Sequence, residues 1–213
     1  MRIKVCGMKF EENIREVEAL QPDYLGFIFY SGSKRYVTGA LPLIDEGIKK
    51  IGVFVNEAIQ EILNRVRSEG LHGVQLHGEE SPAYVEHLHA ELKGPEVEII
   101  KAFPVGESMD WEKLEPYEAL CDYFLFDAKG DKRGGNGVQF DWGLLSGYNL
   151  SIPYFLSGGI GPDDLDTLKD FMKTKEAELC HVIDVNSRFE TSPGLKNTEK
   201  LKSFIADFKA LQG

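Results

Sequence analysis

The sequence predicts an α/β fold, a single-domain (β/α)8 barrel of the TIM type spanning residues 1–213. Three observations predict it. Short apolar runs alternate with amphipathic segments from one end of the chain to the other. The runs are apolar at consecutive positions, as parallel strands covered on both faces must be. Eight of them can be counted, which favours closure into a barrel over an open, doubly wound sheet.

In chain order the strand candidates are Ile3–Cys6, Tyr24–Phe29, Ile51–Val55, Gly73–Leu76, Glu98–Ala102, Tyr123–Asp127, Tyr154–Ser157 and His181–Asp184. A helix is expected after each. Ile59, Ile62, Leu63 and Val66 recur at i, i+3, i+4 and i+7 and so share one helical face, and Leu201, Phe204, Ile205 and Phe208 repeat the spacing. Start signals precede four helices: Asn56, Ser81-Pro82, Asp110 before Trp111, and Gly161-Pro162. These residue types satisfy or dispense with the orphan N–H groups of a first turn. The sixth helix, near Trp142–Ser146, is expected to make only about two turns.

Composition narrows the function. With 213 residues, 42% of them hydrophobic, the chain can bury a full core without disulfides or a structural metal. A formal net charge of -11 repels nucleic acid and anionic membrane surfaces, because neutralising phosphates needs clustered Lys and Arg. An anionic small molecule must then be captured by local backbone amides or a few placed cations. Cys6, Cys121 and Cys180 are odd in number and widely spaced, which argues against a disulfide framework or a zinc site and for a reducing cytoplasm. No apolar run approaches the roughly 20 residues of a membrane span. The chain enters its first strand too early for a signal peptide, so a cytoplasmic protein is expected.

In a parallel barrel the C-terminal strand ends converge on one mouth. Cys6, at the end of the first strand, has two readings: a small buried hydrophobe, the common fate of free cysteine, or a positioned proton acceptor beside Gly7, whose bare backbone leaves room for a ligand. Cys121 and Cys180 precede strands and read as packing. Asp127 follows the apolar "YFLF" and is either an anchor for the loop amides after it or a general acid. The glycine-rich loop Lys129–Gly137 reads as a cover over the mouth. Arg35 is either a solvated loop charge or a planar fork for a carboxylate. Gly158-Gly159 after the seventh strand, with "NSRFETSPG" after the eighth, occupies the usual phosphate position of this architecture. The histidines do not form a metal site, since His87 and His89 point different ways on a helix and His72 precedes its strand. Only His77 reaches the mouth, where it is expected to shape a pocket or bind a loop.

The fragments "KVCGM", "GFIFYSGSKRYV", "GVFVN", "GVQLHGEE", "FDAKGDKRGGNGVQFDW", "LSGGI" and "DVNSRFETSPGLK" occur in an order and spacing that resembles the phosphoribosylanthranilate isomerase family of tryptophan biosynthesis, over nearly the whole chain. The resemblance implies a cofactor-free barrel enzyme catalysing an Amadori rearrangement of a phosphorylated small molecule, as a monomer or a homodimer. It implies Cys6 as general base and Asp127 as general acid, with Arg35 on the anthranilate carboxylate. It further implies that Gly158, Gly159, Asn186, Ser187 and Arg188 surround the phosphate, that Asp184 lies near the sugar hydroxyls, and that Gln75 and His77 line the pocket. The chain departs from the family pattern at Met8, at Asn136 and at Arg188, the last replacing the glycine often found beside the phosphate.

Two other readings compete. A relative of indole-glycerol-phosphate synthase would want a lysine acid at a strand end, and Lys101 is the near candidate. A noncatalytic thiol sensor would want an exposed Cys6 with a lowered pKa.

Overall fold

The computed structural model describes residues 1–92, 97–129 and 140–212. Eight strands run as β1 (Arg2–Val5), β2 (Tyr24–Ile28), β3 (Lys49–Phe54), β4 (Gly73–Leu76), β5 (Glu98–Val105), β6 (Tyr123–Ala128), β7 (Tyr154–Leu156) and β8 (Cys180–Val185). Each pairs in parallel with the next, and β8 pairs with β1 to close the barrel. All eight expected strands are present, shifted at their ends by a residue or a few.

The helices depart from one per strand. Regular α-helices follow β1 (α1, Glu11–Glu18), β3 (α2, Ile59–Glu69), β4 (α3, Pro82–Glu91), β7 (α4, Leu165–Phe171) and β8 (α5, Thr198–Ala210). No helix joins β2 to β3. That stretch carries Gly32, Gly39, Pro42 and Gly47, so helix breakers recur every few residues. After β5 and β6 come 3-10 segments, Trp111–Tyr117 and Trp142–Gly147. Pro116 lies within the first and removes a backbone donor there.

Where α-helices form, the sequence explains them. In α2, Ile62, Leu63 and Val66 are buried, and in α5 so are Leu201, Phe204, Ile205 and Phe208. Ser81 caps α3 by accepting the Tyr84 N–H, with Pro82 in the first turn. Gly161-Pro162 opens a 3-10 turn that runs into α4. Asn56 is not a cap: Ala58 holds that place in α2, while Asn56 has a φ of 49° and its Oδ1 accepts from the Glu79 N–H at 2.7 Å. Nor does the Asp110 side chain cap the segment after it. The chain after β8 also forms a hairpin that the sequence did not announce, β9 (Glu190–Ser192) and β10 (Leu195–Lys196), turning at Gly194 with a φ of 87°.

Two apolar compartments result. The larger packs the helices on the outside of the barrel. The smaller is a floor inside it, made by Tyr24, Ile51, Ile100, Leu125, Phe155 and Val182. Side chains alternate along a strand, so the next inward positions lie two residues on. Two beyond Val182 is Asp184, two beyond Leu125 is Asp127, and Gln75 and His77 follow Gly73 by twos. An apolar floor thus passes directly into a polar layer at the C-terminal ends of the strands.

Candidate active site

The polar layer centres on Lys4, which is fully buried. Its Nζ donates to Asp184 Oδ2 at 2.8 Å and to Gln75 Oε1 at 2.7 Å. β1 and β4 are not neighbours in the barrel, so the bond to Gln75 crosses its interior. Burial works against charge on both members of the Lys4–Asp184 pair. The pair and its hydrogen bonds prevail at Lys4, whose ammonium is held above the ordinary lysine value. Among the described residues Asp184 Oδ1 is buried with no hydrogen-bond partner.

From Gln75 the network continues outward. Its Nε2 lies 2.9 Å from His77 Nδ1, and His77 Nε2 lies 3.4 Å from Asp127 Oδ2. Asp184 also lies within electrostatic reach of His77 and of Asp127. Five side chains from β1, β4, β6, β8 and the residue after β4 are therefore linked across one opening.

Cys6 joins this cluster beside Lys4. It is 5% exposed, and a Cβ built on Gly26 of β2 would stand 2.8 Å from Cys6 Sγ and 3.1 Å from Lys4 Cε. Glycine at that place lets thiol and ammonium stem sit side by side. Burial pushes the Cys6 thiol up, while the charges of Lys4 and Lys196 pull it down and that of Asp184 pushes with burial. A buried thiol held above its ordinary pKa does not meet the requirement of a low-pKa redox sensor.

Gly7 has a φ of 75°, and its missing side chain makes room for protein: a Cβ there would meet Arg35 Cδ at 2.6 Å and Asn186 Oδ1 at 2.7 Å. The sequence assigned that space to a ligand; Arg35 and Asn186 fill it instead. Arg35 is no solvated charge, since its Nε and Nη2 grip Glu190 at 2.8 and 2.6 Å. Among the described residues nothing pairs with Nη1, which leaves the Nη1–Nη2 edge as a second fork. Lys196 Nζ, also buried, donates to Glu190 Oε1 and to Asn186 Oδ1, both at 2.7 Å. Burial opposes ionisation of Glu190, but the bonds from Arg35 and the charge of Lys196 hold its carboxyl below the usual range.

Gly158 and Gly159 are both left-handed, with φ of 97° and 70°. A Cβ on Gly158 would stand 2.7 Å from the Ala128 backbone N, so the turn after β7 is pressed against the end of β6 beside Asp127. Asn186 and Ser187 begin the 3-10 turn after β8. Arg188 lies across Gly161, its Nη2 3.8 Å from Asp163 Oδ2. Lys101, by contrast, is consumed internally: it donates to Glu80 Oε2 at 2.9 Å and to carbonyls including that of Gly78 at 2.9 Å. It cannot serve as the strand-end acid of the competing reading. Of the expected cover, Lys129 is described, while residues 130–137, with Asn136, lie outside the described residues.

Cys6, Gln75, His77, Asp127 and Asp184 are thus brought together, with Arg35 and Asn186 joined to them through Gly7. Lys4, Glu190 and Lys196 were missed. One signal was available for Lys4, a charged residue two positions before Cys6 and hence on the same strand face. Among the described residues there is no group of three or more His, Cys, Asp or Glu placed to hold a metal, and no helix long and apolar enough to cross a membrane.

Residues 3–207 match the family described as N-(5'phosphoribosyl)anthranilate (PRA) isomerase. An N-(5'-phosphoribosyl)anthranilate isomerase of Parabacteroides distasonis is 44% identical over 211 residues, covering 96% of this chain and 92% of its own. Among solved structures, the phosphoribosyl anthranilate isomerase of Thermotoga maritima superposes with a TM-score of 0.82 at 30% identity, covering 99% of both chains. A further phosphoribosyl anthranilate isomerase, 28% identical with a TM-score of 0.76 and 99% of both chains covered, was solved with reduced 1-(o-carboxyphenylamino)-1-deoxyribulose 5-phosphate.

Proposed function

From the premise that this chain belongs to the N-(5'-phosphoribosyl)anthranilate isomerase family, we propose that Cys6 and Asp127 carry out the Amadori rearrangement of N-(5-phosphoribosyl)anthranilate to 1-(2-carboxyphenylamino)-1-deoxyribulose 5-phosphate, a step of tryptophan biosynthesis. Asp127, as general acid, gives a proton to the furanose ring oxygen as the C1–O bond breaks. The iminium so formed acidifies the adjacent C2–H, and the Cys6 thiolate removes that proton to give an enolamine, which tautomerises to the ketone. The substrate's own iminium is the electron sink. Each proton transfer supplies roughly 10²–10⁴-fold, and positioning supplies the remainder.

The remaining residues hold the two anionic handles and the sugar. The free edge of Arg35 takes the anthranilate carboxylate, with Glu190 fixing the guanidinium plane from the other side. The backbone around Gly158, Gly159, Asn186 and Ser187 takes the phosphate, which is how a chain of net charge -11 captures an anion. Asp184 Oδ1, buried and unpartnered among the described residues, accepts a sugar hydroxyl, and Gln75 and His77 close the pocket wall. Three free thiols fit a cytoplasmic protein.

The observation that carries this reading is the shared polar layer: Asp184 interacts electrostatically with both Cys6 and Asp127, so base and acid flank one cluster. Complementation of a tryptophan auxotroph lacking this isomerase tests it. The chain should restore growth and Cys6→Ala should not; failure of the unaltered chain to restore growth would overturn the proposed function.

A further inference from the structure

We propose that Lys4, acting through Gln75, fixes His77 in the neutral tautomer that carries its proton on Nε2, and that this N–H, turned toward Asp127 Oδ2 at 3.4 Å, biases how that carboxyl meets the substrate. The kinetic half of this inference rests on the function proposed above; the tautomer half does not. Lys4, Gln75 and His77 are then positioning residues, since none of the three needs to exchange a proton with the substrate.

The derivation follows donors and acceptors along the network. An ammonium has three donors and no acceptor, so the group 2.7 Å from Lys4 Nζ must be the Gln75 oxygen. Asp184, 2.8 Å from the same Nζ, keeps the ammonium charged and in place. With its oxygen committed to Lys4, the Gln75 amide turns its NH2 to the other side, 2.9 Å from His77 Nδ1. An amide NH2 only donates, so Nδ1 must accept and cannot carry a proton. The single ring proton of a neutral imidazole therefore sits on Nε2, and 3.4 Å away is Asp127 Oδ2.

Each alternative leaves a clash of like groups. The Nδ1–H tautomer sets two donors against each other at Nδ1 and turns a bare Nε2 toward Asp127. The imidazolium repairs the second contact but not the first. Flipping the amide would set its NH2 against the Lys4 ammonium inside a fully buried layer, where an unmade bond costs most. Only one assignment satisfies every link. Gln75 is suited to the task because it shares a strand face with His77, two residues on, while reaching across the barrel to β1.

The test is a long-range 1H–15N spectrum of histidine-labelled protein at neutral pH, with the His77 signals identified by their loss in His77→Gln. The expected result is a bare Nδ1 and a protonated Nε2 in the unaltered protein; a protonated Nδ1 overturns the inference. Gln75→Glu replaces the NH2 with an acceptor oxygen and should move a proton onto Nδ1, and an unchanged ring there also overturns it. Lys4→Met combined with Asp184→Asn removes both charges and should let the amide flip, giving mixed tautomers; a single unaltered tautomer rejects the role of Lys4. Where that variant does not accumulate folded, the first two spectra decide the tautomer. In Gln75→Glu, kcat should fall by about tenfold or more with KM changed by less than about threefold. The predicted spectra with an unaltered kcat would reject the catalytic consequence, whereas an unaltered protein without isomerase activity would reject the proposed function and leave the spectra to judge the tautomer.

Discussion

Gly26 of β2 lies flat against Cys6: a Cβ built on the glycine would stand 2.8 Å from the cysteine Sγ and 3.1 Å from its Cα. The thiol is thus held in a slot cut by a missing side chain. Gly26→Ala should overpack this slot, costing about 1–3 kcal/mol of stability and displacing the sulfur. Urea unfolding should show a folded but weakened protein, and kinetics should show a lower kcat with little change in KM. A variant of unaltered kcat would mean that the sulfur position does not matter.

Burial pushes the Cys6 thiol up, against the pull of Lys4 and Lys196. The thiolate is the reactive form, so its fraction grows as pH rises. Alkylation of Cys6, followed by peptide mass spectrometry to separate it from Cys121 and Cys180, should accelerate through a midpoint above the ~8.5 of an exposed cysteine. A midpoint at or below that value would contradict the environment described for the thiol.

Arg35→Ala should chiefly raise KM, since it removes a handle for the substrate carboxylate and leaves the reacting groups in place. It also leaves Glu190 with Lys196 as a cationic partner at 2.7 Å, so the fold should survive. Steady-state kinetics with an unchanged KM would count against the carboxylate role.

Lys101 and Glu80 form a further buried pair, 2.9 Å apart, which anchors the loop carrying His77 through the Gly78 N–H. Lys101→Met should cost about 3–5 kcal/mol, because it strands a buried carboxylate. Burial opposes ionisation of Glu80, but Lys101 and backbone N–H bonds hold it below the ordinary range, and Glu190 is held down likewise. A depressed folded pKa gives stability that is complete above the unfolded value of about 4.3 and is lost as pH falls through the folded value. These two groups should therefore make urea midpoints fall below about pH 4, and replacing Glu80 or Glu190 by Gln should shrink that fall; a fall of unchanged size in both variants would contradict these pairings.

Much of this was legible in the sequence because strand and helix periodicities are local. The apolar runs that became β1 to β8 and the spacing of Ile62, Leu63 and Val66 needed no tertiary information. Strand-end position alone nominated Cys6, His77 and Asp127. What escaped depends on contacts distant in the chain. Lys4 is intelligible only once Asp184 and Gln75 meet it across the barrel, at sequence separations of 180 and 71. For Arg35 the sequence left a solvated charge and a planar fork open, and its ion pair with Glu190 is visible only once the unannounced hairpin after β8 delivers that residue. The missing helix after β2 was hidden differently, because the expectation of one helix per strand overrode the breakers at Gly39 and Pro42.

The division of labour between Cys6 and Asp127 is most directly tested by single-turnover rates of Cys6→Ala and Asp127→Asn, each checked for native circular dichroism. Loss of about 10²-fold or more in each, with substrate still bound, is the result predicted. A rate near that of the unaltered protein in either variant would contradict the account.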